Sequence, residues 1–337
     1  MRRREFIAGT AACMAFGFAG STHAQTGAAP AGTKRMAVAL PSGDPKSTNY
    51  RNARAFKSYW AELNKRGYFE GKNLIVERYS AGGRVERYRE MASAIVASHP
   101  DLILSEAGPL SRYFKALTST IPIVASSADP VEARLVTNLA RPGANITGMS
   151  IDAGLGIWSK RLQLLSDTTR LTTVRFLAAI PDVREERVGA ALREAAQPTG
   201  ISVNVIYVGG GIDQAAYERA FDAMEQDKVD GLMVSDVPEL FNQELIVHLA
   251  AKHHLPAIYH QREYVEMGGL LAYGVDSADV GRGLADLVAD VLGGANPGDI
   301  PFQQQVKFEL VLNRTTARSL GLQFPATLLA VADEVIE

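Results

Sequence analysis

The chain has 337 residues, of which 47% are hydrophobic and 21% charged, and its formal net charge is −2. This is the composition of a folded globular protein, long enough for two lobes of roughly 120–150 residues each. The acidic and basic residues are interspersed, which excludes the basic face of a nucleic-acid-binding protein. The single cysteine, Cys13, excludes a disulfide framework and a cysteine-ligated metal site.

The N-terminus predicts an export signal. Arg2 to Arg4 form a positive segment, residues 6–19 are apolar, and Thr22-His23-Ala24 places small residues where signal peptidase reads them. We expect residues 1–24 to be a signal peptide cleaved after about Ala24, which places the mature protein in the periplasm. An uncleaved anchor is the alternative, but the apolar segment is short for one.

We expect a signal peptide of the twin-arginine type, because RREFI at residues 3–7 is similar to the pattern R-R-x-F-[LI]. Export by the general secretory route stays open. Residues 25–34 read as a flexible spacer of small residues. Beyond the first thirty residues, no apolar run is long enough to span a bilayer.

From residue 36 onwards, short apolar runs alternate with longer amphipathic segments. The first predicted strands cover 36–40, 73–79, 101–105, 121–125 and 146–150, with helices near 50–66, 84–98 and 109–118. After a helix at 155–168, the second series has strands at 173–179, 202–208, 231–235, 256–260 and 268–274, with helices at 183–197, 213–227 and 239–253. A helix at 276–292 and an apolar strand at 306–313 follow.

This alternation predicts an α/β fold with two lobes, each built on a mostly parallel sheet. The strands are apolar on consecutive positions, as expected when helices cover both faces of the sheet. The predicted organisation is a first lobe over 35–150, a second lobe over 151–275, and a return of 276–337 to the hinge and the first lobe.

Loops at the carboxyl ends of parallel strands are where ligands bind in such sheets. Six of these loops carry small hydroxyls, free backbone N–H groups, or an aspartate beside proline or glycine: 41–44, 105–109, 126–130, 179–182, 235–238 and 273–276. One such loop is as readily a helix cap or a turn. Six together predict a cleft lined for a small polar solute.

The sequence gives little support for catalysis. The glycines at 209 and 211 are followed by Gln214 where a dinucleotide-binding loop requires a third glycine, and Ser150 lacks the second glycine of a nucleophile elbow. His248 and His253 are spaced too far apart to share one helix face. His260, which follows a predicted strand, can reach the cleft. We therefore predict no enzyme activity, no catalytic residue, no metal and no cofactor.

Four stretches together resemble one family: the leader RRREFIAG and residues 121–148, 255–274 and 306–337. They are similar to the solute-binding components of ABC transporters in the group related to tryptophan- and tyrosine-uptake binding proteins. The resemblance covers essentially the whole mature chain. It implies the type I periplasmic binding protein fold, in which two Rossmann-like lobes, joined by a multi-strand hinge, close on a ligand.

The resemblance also implies which residues bind the ligand. Carried over by position, they are Ser42, Gly43, Ala107, Gly108, Ser127, Asp129, Asp182, Ser235, Asp236 and Tyr273. Two departures leave the ligand open. After the third strand, where relatives commonly have T-G-T-P, this chain has the loop 105–109, which places the acid Glu106 in a usually neutral part of the cleft. In the first loop of the second lobe, Ile180-Pro181-Asp182-Val183 stands where many relatives have N-P-x-N-P. Glu106 and Asp182 could recognise an amino-bearing ligand, or Glu106 could face solvent.

The sequence therefore predicts a periplasmic solute-binding protein that captures a small polar ligand, such as an amino acid or a derivative. The expected partner is the membrane permease of an ABC transporter, with no nucleic acid involved and a monomeric state. Two alternatives stay open: the ligand-sensing subunit of a signalling receptor, and an exported enzyme that uses the same cleft.

Overall fold

The computed structural model describes residues 32–46, 53–151, 154–209, 213–236 and 242–337. The predicted signal peptide and all but the last three residues of the predicted spacer lie outside these ranges. No helix within the ranges is both long and apolar enough to cross a membrane.

The chain first builds one α/β lobe. Its elements are β1 (Lys34–Leu40), α1 (Arg54–Lys65), β2 (Leu74–Ser80), α2 (Tyr88–Ala97), β3 (Leu102–Ser105), α3 (Gly108–Leu117), β4 (Ile123–Ser127) and β5 (Ile146–Ser150). The last five residues of β1 are all buried, as are all residues of β3, β4 and β5. Consecutive burial of this kind follows from helices on both faces of a parallel sheet.

The second lobe repeats the alternation. Its elements are α4 (Gly156–Thr168), β6 (Thr173–Ala178), α5 (Val183–Ala196), β7 (Ser202–Tyr207), α6 (Gln214–Gln226), β8 (Gly231–Val234), α7 (Gln243–Lys252), β9 (Ala257–Tyr259), α8 (Arg262–Glu266) and β10 (Leu271–Val275). Aspartates begin two of these helices: Asp182 and Asp213 each accept a hydrogen bond from a backbone N–H of the first turn.

The remaining elements are divided between the lobes. They are α9 (Ser277–Leu292), β11 (Gln303–Gln304), β12 (Phe308–Asn313), α10 (Arg314–Ser319), α11 (Ala326–Val331) and β13 (Glu334–Ile336). The six-stranded sheet of the first lobe has the order β11-β5-β4-β3-β1-β2, and the seven-stranded sheet of the second has β13-β12-β10-β9-β8-β6-β7. All neighbouring strands are parallel except β10 and β12. The predicted α/β fold with two lobes is confirmed.

The return predicted for 276–337 is split in the structure. Helix α9 packs into the core of the first lobe through Val280, Leu284 and Val288, and β11 extends that lobe's sheet beside β5. Strands β12 and β13, however, belong to the sheet of the second lobe. The sequence identifies 306–313 as an apolar strand but carries no local signal for its antiparallel partner, β10, which lies more than thirty residues earlier.

The chain therefore passes between the lobes after β5, after β10 and after β11. Asp276 ties two of these passages together: its carboxylate accepts the N–H of Ala278 at the start of α9 and pairs with the Lys307 ammonium at 2.8 Å. Burial alone would raise the pKa of Asp276, but Lys307 and Arg54 hold it below its usual value. An ion pair thus joins the start of α9 to the segment that enters β12.

Candidate ligand-binding cleft

A cleft lies between the two lobes and has two connected parts. The large chamber has a volume of about 650 Å³ and the small chamber about 210 Å³. Seven residues line both: Glu106, Ser126, Ile151, Asp236, His260, Gln261 and Val275. All seven lie within two residues of the end of β3, β4, β5, β8, β9 or β10, so the cleft lies at the carboxyl ends of both sheets.

The wall of the small chamber in the first lobe is formed by the start of α3 and the end of β4. Helix α3 begins at Gly108, directly after the strand-end residues Glu106 and Ala107. A Cβ atom on Gly108 would lie 2.5 Å from the Ser127 hydroxyl. Glycine therefore lets the helix start approach Ser127, and backbone groups of α3 come close to the chamber.

The wall in the second lobe carries a cluster of ionised groups. The Arg184 Nη2 atom donates to the Asp236 carboxylate at 2.5 Å, and Arg161 Nη1 lies 3.7 Å from its other oxygen. Burial would raise the pKa of Asp236, but the two guanidinium groups hold it below its usual value. Asp236 is thus an ionised carboxylate whose charge is already compensated.

Arg161 is fixed from three sides. Its Nε donates to the Tyr273 carbonyl at 2.8 Å, and its guanidinium lies 4.5 Å from the centroid of the Trp158 ring. Burial lowers the pKa of Arg161 to about 10, which still leaves it charged at neutral pH. Since its Nη1 makes no hydrogen bond within the described chain, this atom has unused donor capacity.

Glu185 supports this cluster from behind the cleft lining. Its carboxylate accepts hydrogen bonds from the Ser235 hydroxyl at 2.9 Å and from Arg184 at 3.0 Å. Its backbone N–H donates to Asp182, the residue that begins α5. Burial raises the pKa of Glu185 to about 7, so this carboxyl is close to its titration point at neutral pH.

Glu106 has a different environment. It follows β3, and its backbone N–H donates to the Ala39 carbonyl at 3.1 Å, which holds the residue at the edge of the sheet. No hydrogen bond or ion pair engages its carboxylate among the described residues. Burial raises the pKa of Glu106 to about 7, with no cation to oppose that rise. A carboxylate is therefore present in the cleft without a partner.

His260 also lines both chambers, as its position after β9 led us to expect. Its ring packs edge-on against Tyr264, at 5.2 Å between centroids. Burial lowers the pKa of His260 to about 4, so the imidazole is neutral at neutral pH. It therefore adds a neutral polar group to the lining rather than a charge.

The large chamber combines aromatic side chains with polar groups. Phe56, Tyr59 and Trp60 line it from α1, and Tyr264 lines it from α8. The Phe56 and Trp60 rings meet edge to face, with 5.9 Å between their centroids. Such a wall offers flat apolar surface to the hydrophobic part of a solute.

Residues 55–336 match the family model described as ABC transporter substrate binding protein. The chain belongs to this family. Among curated proteins, this substrate-binding protein is 26% identical over 273 residues to a tyrosine-binding protein of Clostridioides difficile (strain R20291), spanning 80% of this chain and 77% of that protein.

Solved structures agree with the fold of the substrate-binding protein. A conserved domain protein of Vibrio cholerae is 26% identical and superposes with a TM-score of 0.78 over 90% of this chain and 99% of that one. An ABC domain from Streptococcus pneumoniae in complex with L-Trp is 22% identical, with a TM-score of 0.77 over 90% of this chain and all of that one. These neighbours share the two-lobed architecture of the type I binding fold.

Seven of the ten binding residues expected in this substrate-binding protein line the cleft. Ser42 and Gly43 line the large chamber, Asp236 lines both, and four line the small chamber: Ala107, Gly108, Ser127 and Asp182. Asp182 is at the same time the cap of α5.

The other three, Asp129, Ser235 and Tyr273, are not part of the cleft lining. Asp129 accepts the backbone N–H groups of Val131 and Glu132 and so stabilises a turn. Ser235 is fully buried and bonds to Glu185. The Tyr273 ring stacks on Phe308, 6.0 Å between centroids. Residues two apart on a strand share a face, so Tyr273 lies on the same side of β10 as Leu271 and packs with it against the core of the second lobe.

The sequence did not identify the lining residues that helices contribute. Arg161 and Trp158 are three residues apart on α4, and Phe56 and Trp60 are four apart on α1. These spacings place each pair on one helix face, and that much could be predicted from the sequence. Which face meets the cleft depends on how each helix packs against its sheet, and strand ends give no information about that.

Proposed function

We propose that this substrate-binding protein is exported to the periplasm, encloses a small polar solute such as an amino acid between its lobes, and delivers it to the membrane permease of an ABC transporter. The observation that carries the proposal is the interlobe cleft with charges of both signs beside an aromatic wall. Arg161 can meet a carboxylate, Glu106 can meet an ammonium group, and the aromatic side chains of α1 can cover an apolar portion.

The mechanism consists of opening and closing about the three passages between the lobes. Lining residues come from both lobes, so a solute can touch all of them only when the lobes are together. Binding therefore stabilises the closed arrangement by its contacts with the second wall. A closed protein then presents both lobes to the permease in one fixed geometry. The monomer is sufficient for this cycle.

Two of the three named relatives suggest which solutes to test first. One is called a tyrosine-binding protein, and another was solved with L-Trp. The large chamber has room for a side chain of that kind beside the rings of Phe56 and Trp60. We therefore include L-tyrosine and L-tryptophan among the first probes, together with whatever solute accompanies the protein on purification.

Native mass spectrometry of protein purified from the periplasm tests the proposal. We expect a bound small molecule that dissociates unchanged, and a ligand at a hundred times its Kd should stabilise the fold by about 2.7 kcal/mol. Cells that lack the protein should take up that solute more slowly, and the intact gene should restore uptake. Chemical conversion of the solute by the purified protein, or its normal uptake without the protein, would contradict the proposal.

A further inference from the structure

Glu106 differs from the other described acidic residues of the cleft because its carboxylate has no partner. The other described carboxylates of the lining each have a partner: Asp44, Asp182 and Glu263 accept hydrogen bonds, Asp236 pairs with arginines, and Glu244 also has an interaction. Glu106, which lines both chambers, has none within the described chain. Its side chain thus stands at the junction of the two chambers with its hydrogen-bonding capacity unused.

No cation among the described residues of the lining pairs with Glu106. Arg78 is held by Glu70 through two hydrogen bonds of 2.6 and 2.7 Å, and Arg184 is held by Asp236 and Glu185. Arg161 faces Asp236. Each of these described cationic groups lies beside another acid and none pairs with Glu106, so a partner for Glu106 has to come from outside the protein.

Glu106 is half-buried at the junction. Withdrawing a carboxylate even partly from water without a partner costs free energy, which a folded protein recovers when an opposite charge binds there. A cationic group also forms shorter and stronger hydrogen bonds to a carboxylate than a neutral donor does. The position of Glu106 at the junction lets it hold such a group while the rest of a solute extends into either chamber.

We propose that Glu106 determines which solutes the cleft accepts, by pairing its carboxylate with an ammonium or other cationic group of the solute. This inference rests on the proposed function and specifies the chemistry of its ligand. Solutes that carry the cationic group bind, and solutes of the same shape that lack it do not. The Arg161 side of the small chamber and the aromatic wall of the large chamber then act on the remainder of the solute.

The test compares probes that differ only in the ammonium group. L-tyrosine and L-tryptophan are titrated calorimetrically against 3-(4-hydroxyphenyl)propionate and 3-indolepropionate, using mature protein freed of bound solute by unfolding and refolding. We expect the amino acids to bind about ten to a hundred times more tightly than the compounds without the amine, as an ion-paired hydrogen bond implies. Glu106→Gln should bring the two affinities close together.

Two further variants separate this effect from a general loss of folding. Glu106→Asp keeps the charge, so it should keep the preference for the amine even if affinity falls. Glu90→Gln changes an exposed carboxylate on α2, outside the cleft, and should bind like the wild type. Circular dichroism of each variant shows whether the fold is intact before its affinities are compared.

The outcomes distinguish this inference from the proposed function. The inference is overturned, while solute binding stands, if the wild type binds the amino acids and their amine-free analogues equally well. It is also overturned if Glu106→Gln still prefers the amino acids. If neither amino acid binds, the solute that co-purifies with the wild type decides. A solute without a cationic group overturns the inference. A solute with a cationic group supports it only if that solute does not co-purify with Glu106→Gln. Protein that carries no solute and binds none of the probes overturns both.

Discussion

At the scale of single residues, two carboxylates at the junction of the chambers show how surroundings set protonation. Burial acts on both Glu106 and Asp236. At Asp236 the guanidinium groups of Arg184 and Arg161 outweigh it, and the pKa lies below its usual value. At Glu106 nothing opposes burial, and the pKa rises to about 7. One acid therefore belongs to the protein's own charge network, while the other is held in a state unfavourable to the folded protein.

Replacing Glu106 should consequently stabilise the solute-free protein. The folded state holds a proton on Glu106 up to about pH 7, whereas the unfolded state releases it near 4.5, so stability falls as pH rises between these values. Glu106→Gln removes that loss. We expect its melting temperature to exceed that of the wild type at pH 8 by a few degrees, since 1 kcal/mol shifts Tm by about 2–4 °C at this size.

Thermal unfolding of the wild type, Glu106→Gln and Glu90→Gln at pH 5.5 and 8.0 checks this expectation. The advantage of Glu106→Gln should shrink at pH 5.5, where the wild-type carboxyl is protonated in the folded state. Glu185 titrates in the same range and is present in all three proteins, so its contribution cancels in the comparison. A variant that melts below the wild type at pH 8 would show that Glu106 contributes to folding rather than to binding.

At the scale of elements, the contact of α9 with α1 joins the late part of the chain to the first lobe. Gly281 lies where the backbones of the two helices come close: a Cβ atom there would be 2.2 Å from the Ala55 carbonyl oxygen. Two residues further along the helix, a Cβ atom on Gly283 would meet the Met149 sulfur at 2.7 Å. One neighbour is backbone, and the other is the movable end of a side chain.

The two glycines should therefore respond differently to alanine. Each substitution gains about 1 kcal/mol of helix propensity. In Gly281→Ala the helices must separate, and we expect a net loss of about 1–3 kcal/mol in the free energy of unfolding, the range for an overpacked core. In Gly283→Ala, Met149 can rotate away, and the change should stay within about 1 kcal/mol. Urea denaturation measures both, and equal losses would contradict this account of the helix contact.

The sequence predicted best those strands that are covered by apolar side chains on both faces. Strands β1, β3, β4 and β5 are buried on both faces, so their apolar runs ended within one or two residues of the observed strands. The pairing of β12 with β10 was not predicted, because it joins distant segments through side chains that favour no particular neighbour. The helices and strand after residue 313 lacked a clear period and were not assigned.

The candidate site was predictable to the extent that it depends on strand ends. Asp182 and Asp236 follow parallel strands, and the carboxyl edge of a sheet is where clefts form. The position of Tyr273 was not predictable in this way, because it lies within β10, where one residue of register decides between cleft and core. Arg161 was missed since it lies on a helix, and the packing that turns it towards Asp236 involves Trp158 and the carbonyl of Tyr273.

At the scale of the whole molecule, the lobes are joined both at the hinge and by a contact outside it. Arg54 of α1 pairs with Glu309 of β12, beside the passages of the chain. Arg187 of α5 pairs with Glu132, which follows β4 in the first lobe. Glu132 and Arg187 are not part of the hinge strands, so their ion pair can form only while the lobes are together. Under the proposed function, the ion pair therefore favours the arrangement that encloses a solute.

Removing this pair should weaken solute binding without touching the cleft. Arg187 and Glu132 are 52% and 43% exposed, so the pair is worth about 0.2–1 kcal/mol and is screened by salt. For Arg187→Ala we expect the Kd of the co-purified solute to rise by up to about fivefold in low salt, with faster dissociation as the cause, and by less at 0.5 M salt.

The matched control is Arg219→Ala, because Arg219 forms an exposed pair with Asp213 inside the second lobe. Stopped-flow dissociation at two salt concentrations makes the comparison. If both variants release the solute at the same rate, or if Glu132→Ala still weakens binding when Arg187 is already alanine, the Glu132–Arg187 pair does not stabilise the closed arrangement.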